Sequence, residues 1–515
     1  MINATDWPHV ESDREAWHEW ATGIPRRYQH QVTAYERLQR HNYYALIMEQ
    51  GTGKSRPVID DWLSRIEQGT IDDLVVMAPK GCYMNWIISS EDEPSEFDKW
   101  VPEEWKSKIY KAPWVSSGTR AQDKAITDLL YAQGPRFLCM NIEALNRPGA
   151  ARMYLAKFVE GRRVIGVVDE STTIAHEEAA RTKFLLREMS LKFTARRILS
   201  GLVAPESPMD LYSQYAYLDW RILGQKSFWA FRNRYAFVQE VDFRPTHLRT
   251  DDRHFKKAPV ITGFRNLDEL NKKIMASSYR VTKDEVLDIP PKIYKFWDVE
   301  LTAEQSQIYR QMRDIAMAKL NDYTFSTASM KLDQLGKMQH ILCGHVRQED
   351  GVLYNIPENR TNAVVEILHE HAGKAIIWAP YPQALRKIAK RLLEEFGEDS
   401  TVCYWGEIRQ EERLIARSRI QNDDSCRFIV SNQSVGKFGN TWTACNLVIY
   451  YANSFDNEDR QQSEDRAHRI GQTKYVTYID LRAKGTLDEK LIQVLRKKIN
   501  MASTLQGDEF KKWLI

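Results

Sequence analysis

Residues 44–55 read "YALIMEQGTGKS", and the fold turns on how that stretch is read. The last five residues match the close of a phosphate-binding loop. The full pattern, G-x-x-x-x-G-K-[ST], asks for a glycine five places before Gly53, where this chain has Met48. The loop alone does not separate a nucleotide site from a glycine turn, so its flanks decide. "YYALIM" (43–48) is a short apolar run of strand type. In "SRPVIDDWLSRI" (55–66), Val58, Ile59, Trp62, Leu63 and Ile66 recur at helical spacing. Pro57 falls in the first turn, where a missing N–H costs nothing. The glycines therefore lie between a strand and a helix N-terminus, the setting that phosphate binding requires. Gly51 and Gly53 let backbone N–H groups approach phosphate oxygens. Lys54 is expected to neutralise the β- and γ-phosphates and Ser55 to ligate magnesium.

A phosphate loop needs carboxylates at the end of another strand. "VIGVVDES" (164–171) supplies Asp169 and Glu170 directly after an apolar run. Asp169 is suited to hold the metal, and Glu170 to polarise an attacking water. A third element is "QSEDRAHRIGQ" (462–472). Read as a helix, it places Gln462, Arg466 and Arg469 on one face, two guanidinium groups able to grip a γ-phosphate in its transition state. A solvated basic face is the plain alternative.

The rest of the chain bounds these readings. Its 515 residues suggest two to four domains, and 43% apolar with 28% charged residues is globular composition. No apolar run reaches the roughly 18 residues of a membrane span, and the acidic, polar start "MINATDWPHVESDREAW" is no secretory signal. Six scattered cysteines without a C-x-x-C pair point to a reducing, intracellular setting. "HILCGH" holds His340, Cys343 and His345 but no second pair of ligands, which argues against a metal. With a net charge of only +3, a nucleic-acid surface has to be a local basic groove. Most of the fifteen tryptophans are expected in the core.

Short runs rich in Val, Ile and Tyr alternate with amphipathic helices. They fall into two groups, one ending near Ser200 and one starting near Lys374, with mostly helical sequence between and a break at "DIPPK" (288–292). "YQHQVTAYERLQRH" (28–41), with Val32, Tyr35 and Leu38 three apart, reads as a helix before the first strand. The expected fold class is α/β: two lobes with parallel sheets, residues 1–295 and 296–515, joined by helical insertions.

Taken in order, the segments resemble the Swi/Snf-like branch of the superfamily-two helicase-fold ATPases. "EDRAHRIGQ" resembles its motif VI, "MEQGTGKS" motif I, "DEST" its DEAH-like box, "VVMAPKGCYMNW" motif Ia and "MNIEAL" motif Ib. "AIIWAPY", "YWGEIRQEER" and "SVGKFGNTWTA" are similar to motifs IV, IVa and V, and "RVTKDEVLDIPPK" to the junction after the first lobe. Three positions depart from the pattern: Met48 in motif I, Leu202 and Val203 in the motif III-like "LSGLVAPES", and Lys437 with Asn440 in motif V. The resemblance spans residues 25 to 500 and implies two RecA-like lobes that close on ATP and magnesium. It places Tyr28 and Gln29 of "PRRYQHQ" on adenine, Gly51 to Ser55 (Thr52 included) and Gly436 against the nucleotide, and motifs Ia and Ib on a DNA backbone.

The function so implied is ATP-driven translocation on double-stranded DNA, with branched or single-stranded DNA as further partners. Two alternatives stay open: a strand-separating helicase on forks, D-loops or RNA, and a nucleotide-dependent clamp that barely hydrolyses ATP. Little sequence lies outside the motor, so the resemblance suggests a compact bacterial or phage type working in the cytoplasm rather than a nuclear remodeller.

Overall fold

A computed structural model describes residues 27–89, 94–115, 119–201, 204, 207–242, 257–287, 289–321, 328–347, 353–436, 441–469, 471–492 and 495. Leu202, Val203, Lys437 and Asn440 lie outside these residues, as does Asp288 of the expected break. The described chain divides into two compact units. One takes residues up to Tyr235 together with Asn266–Leu287, and the other takes Ala236–Arg265 and the residues after Asp288.

The first unit is built on β1 (Tyr43–Met48), β2 (Asp73–Ala78), β3 (Tyr110–Trp114), β4 (Arg136–Asn141), β5 (Val164–Asp169) and β6 (Ala195–Ser200). An antiparallel ribbon, β7 (Ala236–Asp242) with β8 (Lys257–Phe264), precedes β9 (Ser278–Val281) in the chain. The sheet runs β3-β4-β2-β5-β6-β1-β9 with every neighbour parallel. Its central strands are buried on both faces, which is why they read as unbroken apolar runs. Helix Ser55–Glu67 lays Val58, Ile59 and Trp62 on Leu46, Met48, Leu74 and Val76. Each such side chain contributes about 1.5–3 kcal/mol of burial.

Two ion clusters are set among these elements. Asp61 accepts from Arg65 Nε at 2.8 Å and Arg197 at 2.9 Å. Asp73 accepts from Arg136 at 2.6 Å and Arg162 at 2.7 Å. Removing one partner from such a buried pair costs about 3–5 kcal/mol.

The second unit has β10 (Lys292–Asp298), a ribbon of β11 (His345–Arg347) and β12 (Leu353–Asn355), then β13 (Lys374–Trp378), β14 (Thr401–Tyr404), β15 (Phe428–Ser431), β16 (Cys445–Tyr450) and β17 (Val476–Arg482). Its sheet, also parallel throughout, runs β10-β17-β16-β13-β15-β14. Ile377, Val430 and Ile449 face Leu385, Ile388 and Leu392 of helix Pro382–Phe396; Ile376, Trp378 and Val448 pack against Trp442 and Ile420. All seven residues of β10 pair with β17, so this sheet takes in the chain from Lys292 on.

The α/β class with two parallel sheets is as expected. The stretch expected to be mostly helical does contain helices Ala303–Asn321, Ala328–Leu342 and Arg360–His369, but it also holds β7 to β12. Helix Gln29–Arg40 forms where expected with its face turned: Gln31, Ala34 and Leu38 are buried, Val32 and Tyr35 half-buried. Among the described residues no helix is long and apolar enough to cross a membrane.

Candidate active site

The C-terminal ends of β1 and β5 carry the predicted residues of the first unit, on the edge where open α/β sheets bind ligands. Met48 is still the last residue of β1 and fully buried. The chain has not yet left the sheet at the position where the common pattern has glycine, so no special backbone conformation is needed there. The turn comes later, with φ of +84° at Gly51 and +79° at Gly53. Ser55 opens the helix directly after Lys54.

The loop is braced from the side by helix Gln29–Arg40. His30 Nε2–H donates to the Thr52 carbonyl at 2.8 Å, and Gln31 Nε2 to the Gly53 carbonyl at 3.1 Å. Gln31 Oε1 meanwhile accepts from Tyr28 N–H at 3.1 Å. Burial lowers the His30 pKa, the Thr52 bond opposing. Thr52 is fully buried and donates to the Glu49 carbonyl at 2.7 Å. Glu49 in turn accepts from Lys283 N–H at 2.8 Å, which ties the loop to the turn after β9. Tyr28 and Gln29, expected on adenine, are both exposed at the start of the same helix.

The carboxylates stand opposite the loop. Lys54 Nζ donates to Glu170 Oε1 at 3.3 Å and Gln50 Nε2 to the same oxygen at 3.2 Å. The Lys54 and Glu170 side chains are 12% and 10% exposed, so the pair is little screened. Burial pulls the Lys54 pKa down, but the Glu170 and Asp169 carboxylates outweigh it and leave the ammonium raised. Asp169 Oδ2 accepts from Trp86 Nε1–H at 2.9 Å, and Oδ1 from Glu170 N–H at 3.0 Å. Burial above all, with repulsion from Glu170, pushes the Asp169 pKa up to about 6 against the pull of Lys54 and the Trp86 bond. Glu170 holds a left-handed φ of 49°, uncommon for a residue with a Cβ and frequent at functional positions.

Sequence reading missed Gln31 and Trp86. Each had a signal: Gln31 stands at the capping-box position of its helix, and Tyr83 and Trp86 are buried three apart on one tight turn after β2.

In the second unit the helical premise for the arginines fails. Helix Asn457–Glu464 ends before either one, and residues 465–469 continue in turns. The Arg466 N–H bonds the Ser463 carbonyl rather than that of Gln462, and the carbonyls that follow are used elsewhere. The Arg466 carbonyl accepts from Trp442 N–H at 2.9 Å, and the Ala467 carbonyl from Gln472 Nε2 at 2.9 Å. His468 Nε2–H donates to the Pro290 carbonyl at 2.9 Å. Gln462 stays helical and bonds Glu458 at 2.7 Å. Arg466 is 5% exposed with Nε on the Gln462 carbonyl at 3.0 Å, and Arg469 donates to Thr441 Oγ1 at 2.9 Å. Gly436 is buried at the end of the short helix Gln433–Gly436, where a Cβ would lie 2.5 Å from the Trp378 ring.

Residues 29–346 match the family model described as SNF2-related domain, and residues 359–471 match the helicase conserved C-terminal domain. Among curated proteins, the human DNA annealing helicase and endonuclease ZRANB3 is 24% identical over 482 residues, covering 92% of this chain and 40% of that protein. An ATP-dependent helicase of Mycoplasma genitalium is 24% identical over 483 residues, with 92% and 41% covered. The chain thus spans about two fifths of the length of both. Among solved structures, a Sulfolobus solfataricus SWI2/SNF2 ATPase core in complex with dsDNA aligns over 95% of each chain at 21% identity, with a TM-score of 0.38.

Proposed function

Because the chain belongs to the SNF2-related family, we propose that it is a DNA-dependent ATPase, a cytoplasmic motor that hydrolyses ATP to translocate on, or remodel, double-stranded DNA and its complexes. The observation that carries this reading is the Lys54–Glu170 pair at 3.3 Å, which joins the strand–loop–helix of β1 to the carboxylate end of β5. The unit up to Tyr235 with Asn266–Leu287 serves as the ATP-binding lobe and the unit carrying the sheet from Lys292 on as the second lobe, which moves the expected boundary of 295/296 to before β10.

In this reading the backbone N–H groups from Gly51 to Ser55 receive the phosphates, with Thr52 fixing the turn. Tyr28 and Gln29 receive the adenine, and Gly436 belongs to the nucleotide-facing part of the second lobe. Ser55 and Asp169 offer magnesium the hard oxygen donors it selects, and when bound the ion neutralises phosphate charge. Lys54 holds Glu170 through its ammonium. A phosphate beside Lys54 competes for that ammonium and leaves the Glu170 carboxylate to take a proton from water. Arg466 and Arg469 stabilise the charge that develops on the γ-phosphoryl group.

The test compares steady-state ATP hydrolysis with duplex DNA, single-stranded DNA and RNA. Duplex DNA is expected to stimulate most, and the rise to fade with salt as phosphate contacts are screened. The protein with ATP is expected to strip a third strand from a triplex without parting the duplex. Unwinding of a forked duplex would select the helicase alternative, and stimulation by RNA alone would overturn the DNA assignment.

A further inference from the structure

The end of the first sheet opposite the glycine loop carries a cleft of about 810 Å3. Its floor holds Tyr43 and Arg196, from the N-terminal ends of β1 and β6. One wall is a turn of π-helix, Leu185–Met189, which supplies Leu186 and Arg187. Another is the end of helix Leu211–Leu223, which supplies Trp220 and Arg221 and is kinked by an extended residue at Asp219. Trp229, from helix Phe228–Tyr235, stands on a third side. A π-turn gives up regular helix geometry and is frequent at functional sites. Here it meets a second helix irregularity across one cleft.

The surface of the cleft has a definite chemistry. Leu191 is 88% exposed, Trp229 61% and Trp220 40%. Trp, Tyr and Arg are the residue types that dominate the energetics of protein contacts. The charges divide into paired and unpaired sets. Glu178 is paired with Lys183, and Asp219 with Arg221 at 2.6 Å. Arg187 and Lys226 form no ion pair among the described residues; Arg187 lies in the field of Glu177 and Glu178, and Lys226 lies over the Trp220 ring at 5.0 Å. The lining carries five bases, Lys183, Arg187, Arg196, Arg221 and Lys226, against three carboxylates, Glu177, Glu178 and Asp219, a small positive surplus that suits a short acidic segment rather than the continuous charge of a phosphate backbone.

We propose that this cleft docks a segment of a partner protein in which a large apolar side chain is flanked by acidic residues. The apolar side chain enters between Trp220, Trp229 and Leu191, and the carboxylates meet Arg187 and Lys226. Nothing in this assignment depends on ATP hydrolysis, so it stands or falls apart from the motor.

The experiment is a selection of random peptides displayed on phage against the full chain, followed by anisotropy with the recovered peptides made synthetically. Recovered peptides are expected to share an aromatic residue or leucine flanked by Asp or Glu. Trp229→Ala is expected to weaken them about tenfold or more, as for a central aromatic contact. Arg187→Glu is expected to weaken them as well, and to bind better a peptide whose acids are exchanged for lysine. These side chains are exposed, so ATP hydrolysis by the variants is expected to match the parent. The proposal is overturned if no sequence is enriched, if enriched peptides lack acids, or if they bind Trp229→Ala as tightly as the parent. Displacement of a bound peptide by oligo-dT would also overturn it, and would assign the cleft to nucleic acid.

Discussion

Replacing Glu170 by Gln separates chemistry from binding at the proposed site. The amide keeps the size of the side chain and still offers an oxygen to Gln50 and Lys54, which reach Glu170 Oε1 at 3.2 and 3.3 Å. At that separation and an effective dielectric of about 20, the attraction lost between Lys54 and the carboxylate is about 5 kcal/mol. Relief of a buried carboxylate, worth several kcal/mol, offsets most of this, so the variant is expected to stay folded. The proton acceptor is gone, however, and general-base catalysis contributes about 10²–10⁴-fold, equal to roughly 2.7–5.5 kcal/mol of barrier. Steady-state hydrolysis with duplex DNA should fall by that factor. Binding of a fluorescent ATP analogue should be retained, because magnesium is assigned to Ser55 and Asp169. Loss of nucleotide binding together with turnover, in a variant with unchanged thermal melting, would refute this division of roles.

Three further outcomes are expected. Arg469→Ala, and Arg466→Lys as the gentler change at the buried position, should remove most of the DNA-stimulated rate and leave ATP affinity nearly unchanged, as for contacts made only in the transition state; parallel loss of affinity in a binding titration would contradict it. Trp86→Phe takes the N–H from Asp169 Oδ2 and should raise the magnesium concentration needed for nucleotide binding about tenfold or more, a shift read by titrating the metal at fixed nucleotide; an unchanged titration would show that Trp86 only packs. Asp169, with its pKa pushed up to about 6 by burial, carries a proton between about pH 4 and 6 that the unfolded chain has already shed, so its contribution to stability declines as pH rises through that window; Asp169→Asn should flatten this part of a denaturation-versus-pH series.

Much of the fold was legible because its central strands are buried on both faces and so appear as plain apolar runs. The strands that escaped notice lack that mark. In β10 five of seven positions are exposed, and β9 has only four residues. In β6, Arg196 and Arg197 lead into the strand, and their charge hides it until Asp61 is seen to pair with Arg197. At the site, the loop and the two carboxylates follow from residue type and order. Gln31 is marked only as a capping-box residue three places after Tyr28, and that spacing does not say that its amide reaches the Gly53 carbonyl. The break after Glu464 was equally hidden: Arg466 N–H bonds the Ser463 carbonyl while its side chain takes the Gln462 carbonyl, and the chain beyond is held by Trp442, which no helical spacing marks.

The contact between Gln31 and Gly53 sets an unequal tolerance to change. A Cβ at position 53 would lie 2.3 Å from the Gln31 amide nitrogen, on a backbone whose φ of +79° already disfavours side chains. Shortening Gln31 removes the clash but not the backbone strain, so no change at position 31 alone lets alanine sit at 53 without cost. The reverse does not hold: position 31 can drift at the cost of two hydrogen bonds, provided other groups or water reach the Gly53 carbonyl and the Tyr28 N–H. Laboratory evolution of this chain should therefore accumulate variants at 31 while 53 stays glycine, and rescue of a Gly53 variant should require a redrawn turn rather than a second substitution across the contact.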